Sequence, residues 1–134
     1  MKILIDTNVL ISAALYPDGI CSKAYHKAVS EPFNAVISET NVDELHRIFN
    51  EKFPDKISAL KSFLSLASST LQTVPTPKQI QPGEITLRDN SDQPILRAAI
   101  AAGVDLILTG DKDFLESAQT KPRPVSPSEF IEKY

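Results

Sequence analysis

Asp6, Glu44, Asp92 and Asp111, with Asp113 close behind, are the residues of this chain whose types and places could do chemistry together. Asp6 and Asp111 follow short apolar runs, Lys2-Ile3-Leu4-Ile5 and Leu106-Ile107-Leu108-Thr109-Gly110, that read as buried strands. Asp92 stands where a helix should open, and Glu44 lies on a helix. Carboxylates drawn together repel one another unless a hard cation sits among them. Mg²⁺ and Mn²⁺ prefer such oxygen ligands, so the pattern points to metal-assisted phosphodiester chemistry.

Each of these residues also has a plainer reading. Thr7 and Asn8 could donate hydrogen bonds to Asp6 or to a metal-bound water, or Asp6 could simply cap the first helix. Glu44 falls on the flank of the Val42, Leu45, Ile48 and Phe49 face, about 40° from Ile48 at roughly 100° per residue. From there it could reach over the strand ends, or it could pair with Arg47 in solvent, and Asp43 would serve as well by composition. Asp92 could be an ordinary cap, and Asp89 competes with it inside Arg88-Asp89-Asn90-Ser91-Asp92; Asp92 is preferred because it is nearer the helix start. Gly110 permits a tight bend before Asp111, and Thr109 can bond a neighbouring carboxylate. Asp113 reads as a cap or a supporting acid. His26 and His46 have no partner at ligand spacing, and Lys23 and Lys27 are explained by a solvated helix face.

The elements that must position these groups alternate along the chain. Residues 2–5 read as a first strand, followed by Asp6-Thr7-Asn8 at a helix start. Pro17-Asp18-Gly19 is a turn, and a helix from Ile20 to Val29 stops near Ser30-Glu31-Pro32. Asn34 to Ile37 is a second strand, and Ser38 or Thr40 caps the next helix. Ile57 to Leu66 carries a further helical pattern, and Leu71 to Val74 a short third strand. Three prolines and a Pro82-Gly83 turn make 75–91 a long loop, a feature often functional in compact domains. Pro94 sits near the start of a helix over Ile95 to Ala102, and Gly103 closes it before the strand Leu106 to Leu108. Asp111 to Leu115 forms a short helix, Val125 marks a small edge strand, and Ser126-Pro127-Ser128-Glu129 opens a last helix. Short apolar strands alternating with helices imply a three-layer α/β domain, a parallel sheet of four or five strands covered on both faces. Right-handed crossovers align the strand ends, and ligands of such sheets bind at their carboxyl ends, where Asp6 and Asp111 fall.

With 134 residues, 42% hydrophobic and 23% charged, the chain is expected to form one globular domain over 1–134. No apolar stretch approaches the roughly 20 residues a membrane span needs, and the first residues carry too short an apolar run for a secretory signal. The single cysteine, Cys21, rules out an internal disulfide and a Cys-rich zinc site and makes the cytoplasm the default compartment. The net charge of −3 argues at first against a nucleic-acid partner. Setting the five named acids aside from the 17 leaves twelve against 14 Lys and Arg. Charge therefore neither supports nor excludes RNA or DNA.

Taken together, these segments resemble the PIN-domain family. Ile5-Asp6-Thr7-Asn8-Val9-Leu10-Ile11-Ser12-Ala13 resembles its opening motif, and Leu108-Thr109-Gly110-Asp111-Lys112-Asp113-Phe114-Leu115 its last acidic motif. Asp43-Glu44-Leu45 matches the place of the family's glutamate, and Asp92 that of an aspartate at a later helix start. The resemblance spans about residues 1–126. It implies a parallel sheet of order 3-2-1-4-5 and Mg²⁺- or Mn²⁺-dependent endoribonuclease activity. It also implies, for small members, the toxin half of a toxin–antitoxin pair, usually a homodimer with an antitoxin partner. By resemblance Asp6, Glu44, Asp92 and Asp111 form the acidic metal site, supported by Thr7, Asn8, Thr109 and Asp113. Relatives often carry two adjacent acids at the later helix start, whereas Gln93 follows Asp92 here, so lower metal affinity is expected.

Three other readings stand beside this one. A phosphoacceptor receiver domain would need another acid beside Asp6 and an aspartate ending a central strand, but Ser38 and Val74-Pro75 end the candidate strands. A non-catalytic module could bind a protein partner through its helices while keeping the acidic pocket. A metal nuclease acting on DNA is the third.

Overall fold

Five strands form one all-parallel sheet in the order β3-β2-β1-β4-β5, as the resemblance implied. They are β1 (Lys2–Ile5), β2 (Asn34–Ser38), β3 (Gln72–Val74), β4 (Leu106–Leu108) and β5 (Arg123–Val125). The computed structural model describes residues 1–134. Seven α-helices complete the domain: α1 (Thr7–Leu15), α2 (Ile20–Ala28), α3 (Glu39–Lys52), α4 (Ile57–Ala67), α5 (Gln93–Ala101), α6 (Lys112–Leu115) and α7 (Pro127–Lys133). Short 3₁₀ turns cover Pro54–Lys56 and Asn90–Asp92.

The buried strand positions are almost all apolar because both sheet faces are covered, and alternate side chains go to opposite layers, while Lys2, Asn34, Gln72, Thr73 and Arg123 stand at the less buried starts of their strands. Ile3, Ile5, Ala35, Ile37, Leu106 and Leu108 join one core with α1, α2, α4 and α7, and with Leu45 and Phe49 of α3. Leu4, Val36 and Ile107 face the other, built from α5, Leu87 and Phe114. Burial of Phe49, Phe114 and Phe130, each 0% exposed, anchors α3, α6 and α7 in these layers. Pro124 is accommodated because β5 is an edge strand.

Helix ends follow local chemistry. Ser38, not Thr40, caps α3, in a reciprocal box with Asn41. Gly103 takes φ +69° directly after α5, the left-handed conformation that ends a helix at low cost in glycine. The helix-opening signal at Pro94 placed the start of α5 at Ile95; it starts two residues earlier, at Gln93, with Pro94 in its first turn. No helix is long and apolar enough to cross a membrane.

The 75–91 segment is irregular, as its prolines required, but it is fastened at its C-terminal half. Glu84 is held by Arg97 of α5 through two bonds of 3.1 Å, Nε to Oε1 and Nη2 to Oε2. Gln119 donates to the carbonyl of Gly83 and accepts from the N–H of Ile85. This fastening brings residues 88–92 to the carboxyl edge of the sheet.

Candidate metal centre

At the carboxyl ends of β1 and β4 the chain turns into two helices, and each turn presents an aspartate. Asp6 caps α1 and Asp111 caps the short α6. The Asp6 N–H donates to the Leu108 carbonyl (2.9 Å), which ties the two turns side by side. Thr109 then joins their side chains: its hydroxyl donates to Asp6 Oδ2 (2.8 Å) and accepts from the Asp111 N–H (3.0 Å). The remaining Asp6 oxygen accepts from Thr7 N–H (2.8 Å), and Asp111 Oδ1 accepts from the amides of Asp113 (2.8 Å) and Phe114 (3.2 Å).

Glu44 arrives from α3. Asn41, fully buried, links the start of that helix to α1 by donating to Thr7 Oγ1 (2.7 Å). One turn further along, Glu44 enters the cleft that Asp6 and Thr7 also line. Asp92 comes from the other side of the sheet, at the head of α5. It occupies the cap position yet makes no capping bond; its carboxylate turns inward, and its Oδ2 has no hydrogen-bond partner.

Asp6, Glu44, Asp92 and Asp111 thus line one cleft of about 260 Å³, together with Thr7 and Asn8. Thr109 lies beneath it, fully buried. Asp113 is different. Its side chain pairs with Arg88 (3.3 Å) and faces a neighbouring depression, so only its backbone N–H supports the centre. Asp43 is exposed and outside the cleft, and His26 and His46 are exposed on their helices.

The cleft is also lined by Ile48, Glu51 and Ser91, and by Arg47, Lys52 and Asp89, which bear on its charge and are not among the residues selected from the sequence. Arg47 and Lys52 line its rim, exposed and without an ion pair. Arg47, at i+3, lies about 60° from Glu44 around α3 and Lys52, at i+8, about 80° to its other side, so the two flank it rather than share its stripe. Asp89, weighed and passed over for Asp92, enters as well, and carboxylate oxygens of Asp89, Asp92 and Asp111 lie within 4.8 Å of one another.

The electrostatics are those of crowded, dehydrated anions. Burial pushes the Asp6 carboxyl up to about 6 against the bonds from Thr109 and Thr7, with the charges of Glu44 and Asp111 adding to the rise. Asp92, 7% exposed, is pushed up to about 8 by burial and then by Asp6, Asp111 and Asp89. Glu44 is raised by burial, with Thr7 and Arg47 working the other way. Asp89 alone is lowered, because the hydroxyl and N–H of Ser91 both donate to it. A donor set made wholly of oxygen suits Mg²⁺ or Mn²⁺ rather than a soft metal. The unpartnered Asp92 oxygen fits the same group, since a buried carboxylate needs a proton or a cation to face.

A family model described as PIN domain matches residues 2–113, most of the chain. The chain belongs to the PIN-domain family. Both acid-bearing strand ends, Asp6 and Asp111, fall inside the matched span. Among solved structures, the PIN fold here is similar to a chain in the crystal structure of VapBC2 from Rickettsia felis bound to a DNA fragment from their promoter. The TM-score is 0.71 at 18% identity, with 94% of this chain and 98% of that chain covered. At this identity the likeness is one of fold. No curated protein matches the sequence.

Proposed function

We propose that this PIN protein is a Mg²⁺- or Mn²⁺-dependent endoribonuclease and the toxin of a toxin–antitoxin pair. The observation that carries the reading is the convergence of Asp6, Glu44, Asp92 and Asp111 on one cleft, with Asp92 Oδ2 left without a partner. Asp6, Asp92 and Asp111 would hold the ion, with Glu44 acting on it directly or through water. The chemistry such an ion supplies is Lewis-acid polarisation of a phosphate oxygen and activation of water for in-line attack.

The protein's own part is to hold these carboxylates in place and to seat the strand. Thr109 and Thr7 fix the orientation of Asp6, and the two α6 amides fix that of Asp111. Arg47 and Lys52 are free to contact phosphates, which position a strand without reading its bases. RNA as substrate, a homodimer, an antitoxin and cytoplasmic residence are the family's features carried to this chain.

The test is cleavage of single-stranded RNA, beside DNA of the same sequence, with and without Mn²⁺. Wild type should cut RNA only with the ion. Asp6→Asn should lose cleavage by about 100-fold or more, at the upper end of what a disturbed metal site costs. Its melting temperature should stay or rise, because like-charge repulsion is relieved. A large loss of stability in Asp6→Asn, with cleavage retained per folded molecule, would assign Asp6 to helix capping instead.

A further inference from the structure

Gln93 follows Asp92 but its side chain leaves the cleft. Its Oε1 accepts from the Leu87 N–H (2.8 Å), and its Nε2 donates to Glu84 Oε2 (2.6 Å) and the Ile85 carbonyl (2.8 Å). Residues 84–87 are thereby laid along α5, with Leu87 buried in the core beneath. The chain then leaves this staple at Arg88 and delivers Asp89 to the cleft. Ser91 holds the Asp89 carboxylate in place through its N–H (2.9 Å) and hydroxyl (2.7 Å), and both bonds fall on Oδ1.

We propose that Asp89 is a ligand of the divalent ion in this chain, completing a set with Asp92 and Asp111 that the head of α5 alone does not provide. The proposal rests on the metal-dependent reading above and names a residue that reading does not use. Each of the three keeps a carboxylate oxygen to which no protein group donates, whereas both oxygens of Asp6 are engaged. Asp92 is the pointer to a ligand, 93% buried with Oδ2 unpartnered in the cleft that Asp89 also lines. The geometry is close to what one small cation takes. Oxygens opposite each other on Mg²⁺ lie about 4.2 Å apart, and here the ligand atoms lie within 4.8 Å of one another. A small side-chain adjustment closes the set around the ion. Gln93 is then a positioning residue, acting through the staple that carries Asp89.

The test is calorimetric titration of metal-stripped protein with MnCl₂, alongside the rise in melting temperature that Mn²⁺ induces. Wild type is compared with Asp89→Asn, Asp89→Ala, Asp92→Asn and Asp43→Asn, the last removing an exposed charge outside the cleft. Asn at 89 keeps an acceptor for Ser91, so the turn survives while the ligand charge is lost. Asp89→Asn should bind Mn²⁺ about 10-fold more weakly, with an unchanged or slightly lower melting temperature when metal-free because the bonds from Ser91 favour the charged form, and Asp43→Asn should bind as wild type does. If Asp89 only forms the turn, Asp89→Asn binds like wild type and Asp89→Ala alone is impaired; that outcome overturns the proposal. Loss in Asp92→Asn together with wild-type affinity in Asp89→Asn overturns it while leaving the metal-dependent reading intact. Failure of wild type to bind Mn²⁺ removes both.

Discussion

Replacing Asp92 by Asn should make the metal-free protein more stable, and by an amount that depends on pH in a defined direction. Burial and three neighbouring acids raise the folded-state value of Asp92 from 3.8 to about 8. Between those values the unfolded chain has released the proton and the folded chain still holds it. Stability of the wild type therefore falls as pH rises from about 4 to about 8, and it is fullest at the acidic end. Each tenfold change in proton affinity is worth about 1.4 kcal/mol, which bounds the cost at about 5 kcal/mol by pH 8. Water entering the open side of the cleft screens part of it, so about 2–3 kcal/mol is the expected gain for Asp92→Asn at pH 8. For a chain of this size that is a melting-temperature increase on the order of 10 °C. At pH 5 the folded Asp92 still holds its proton while the unfolded one has released it, so about a third of the difference should remain, and it should vanish only near pH 4. Scanning calorimetry of both proteins in chelator at pH 5, 6, 7 and 8 measures this. A gain of equal size at all four values, or an Asn variant less stable at pH 8, would refute the crowding argument. Adding Mn²⁺ should reverse the order at pH 8, because the ion stabilises the carboxylate that the wild type alone retains.

Three further outcomes follow from particular bonds. Thr109→Val removes the donor to Asp6 and the acceptor of the Asp111 N–H at nearly constant shape. It should cost about 2–3 kcal/mol in urea unfolding. The wild-type decline that Asp6 contributes, complete near pH 6, should extend to higher pH in the variant. Gln93→Leu leaves the Leu87 N–H without its acceptor and removes the donor to Glu84 and the Ile85 carbonyl, while Arg97 still holds Glu84. It should lose about 1–3 kcal/mol and bind Mn²⁺ more weakly as Asp89 loses its mounting. Arg47→Ala and Lys52→Ala should each weaken RNA binding to a similar degree whatever the sequence. Each should lower the slope of log affinity against log salt by about 0.7, as anisotropy titrations over a range of salt would record.

The fold was legible because its signals are local. Short apolar runs bounded by turn residues are too brief for buried helices and fit strands buried on both faces, and Pro-Asp-Gly, Ser38 and Gly103 mark where helices begin and end. Asp6 and Asp111 were legible for the same reason, since a residue just past a parallel strand has only one edge of the sheet to occupy. Glu44 was readable only as a flank position, and its approach to Asp6 depends on the Asn41–Thr7 bond between residues 34 positions apart. No pattern in a single chain encodes that contact. Asp89 and Asp113 show the limit from both sides. In a loop and in a one-turn helix, side-chain direction is set by individual hydrogen bonds, here the local one from Ser91 for Asp89 and the long-range one from Arg88 for Asp113, and not by periodicity. Gln93 was read as the loss of an acid. Its structural work, fastening 84–87, depends on loop contacts that no local pattern encodes.

The central claim, that these distant carboxylates form one cation-holding centre, is tested most directly by crystals grown with Mn²⁺ and anomalous diffraction at the manganese edge. The account predicts a single strong peak in the cleft, with oxygens of Asp92 and Asp111 at about 2 Å and the Asp92 Oδ2 among them. Saturating Mn²⁺ that gives no peak there, with Asp6 and Asp92 contacting only protein, would contradict it.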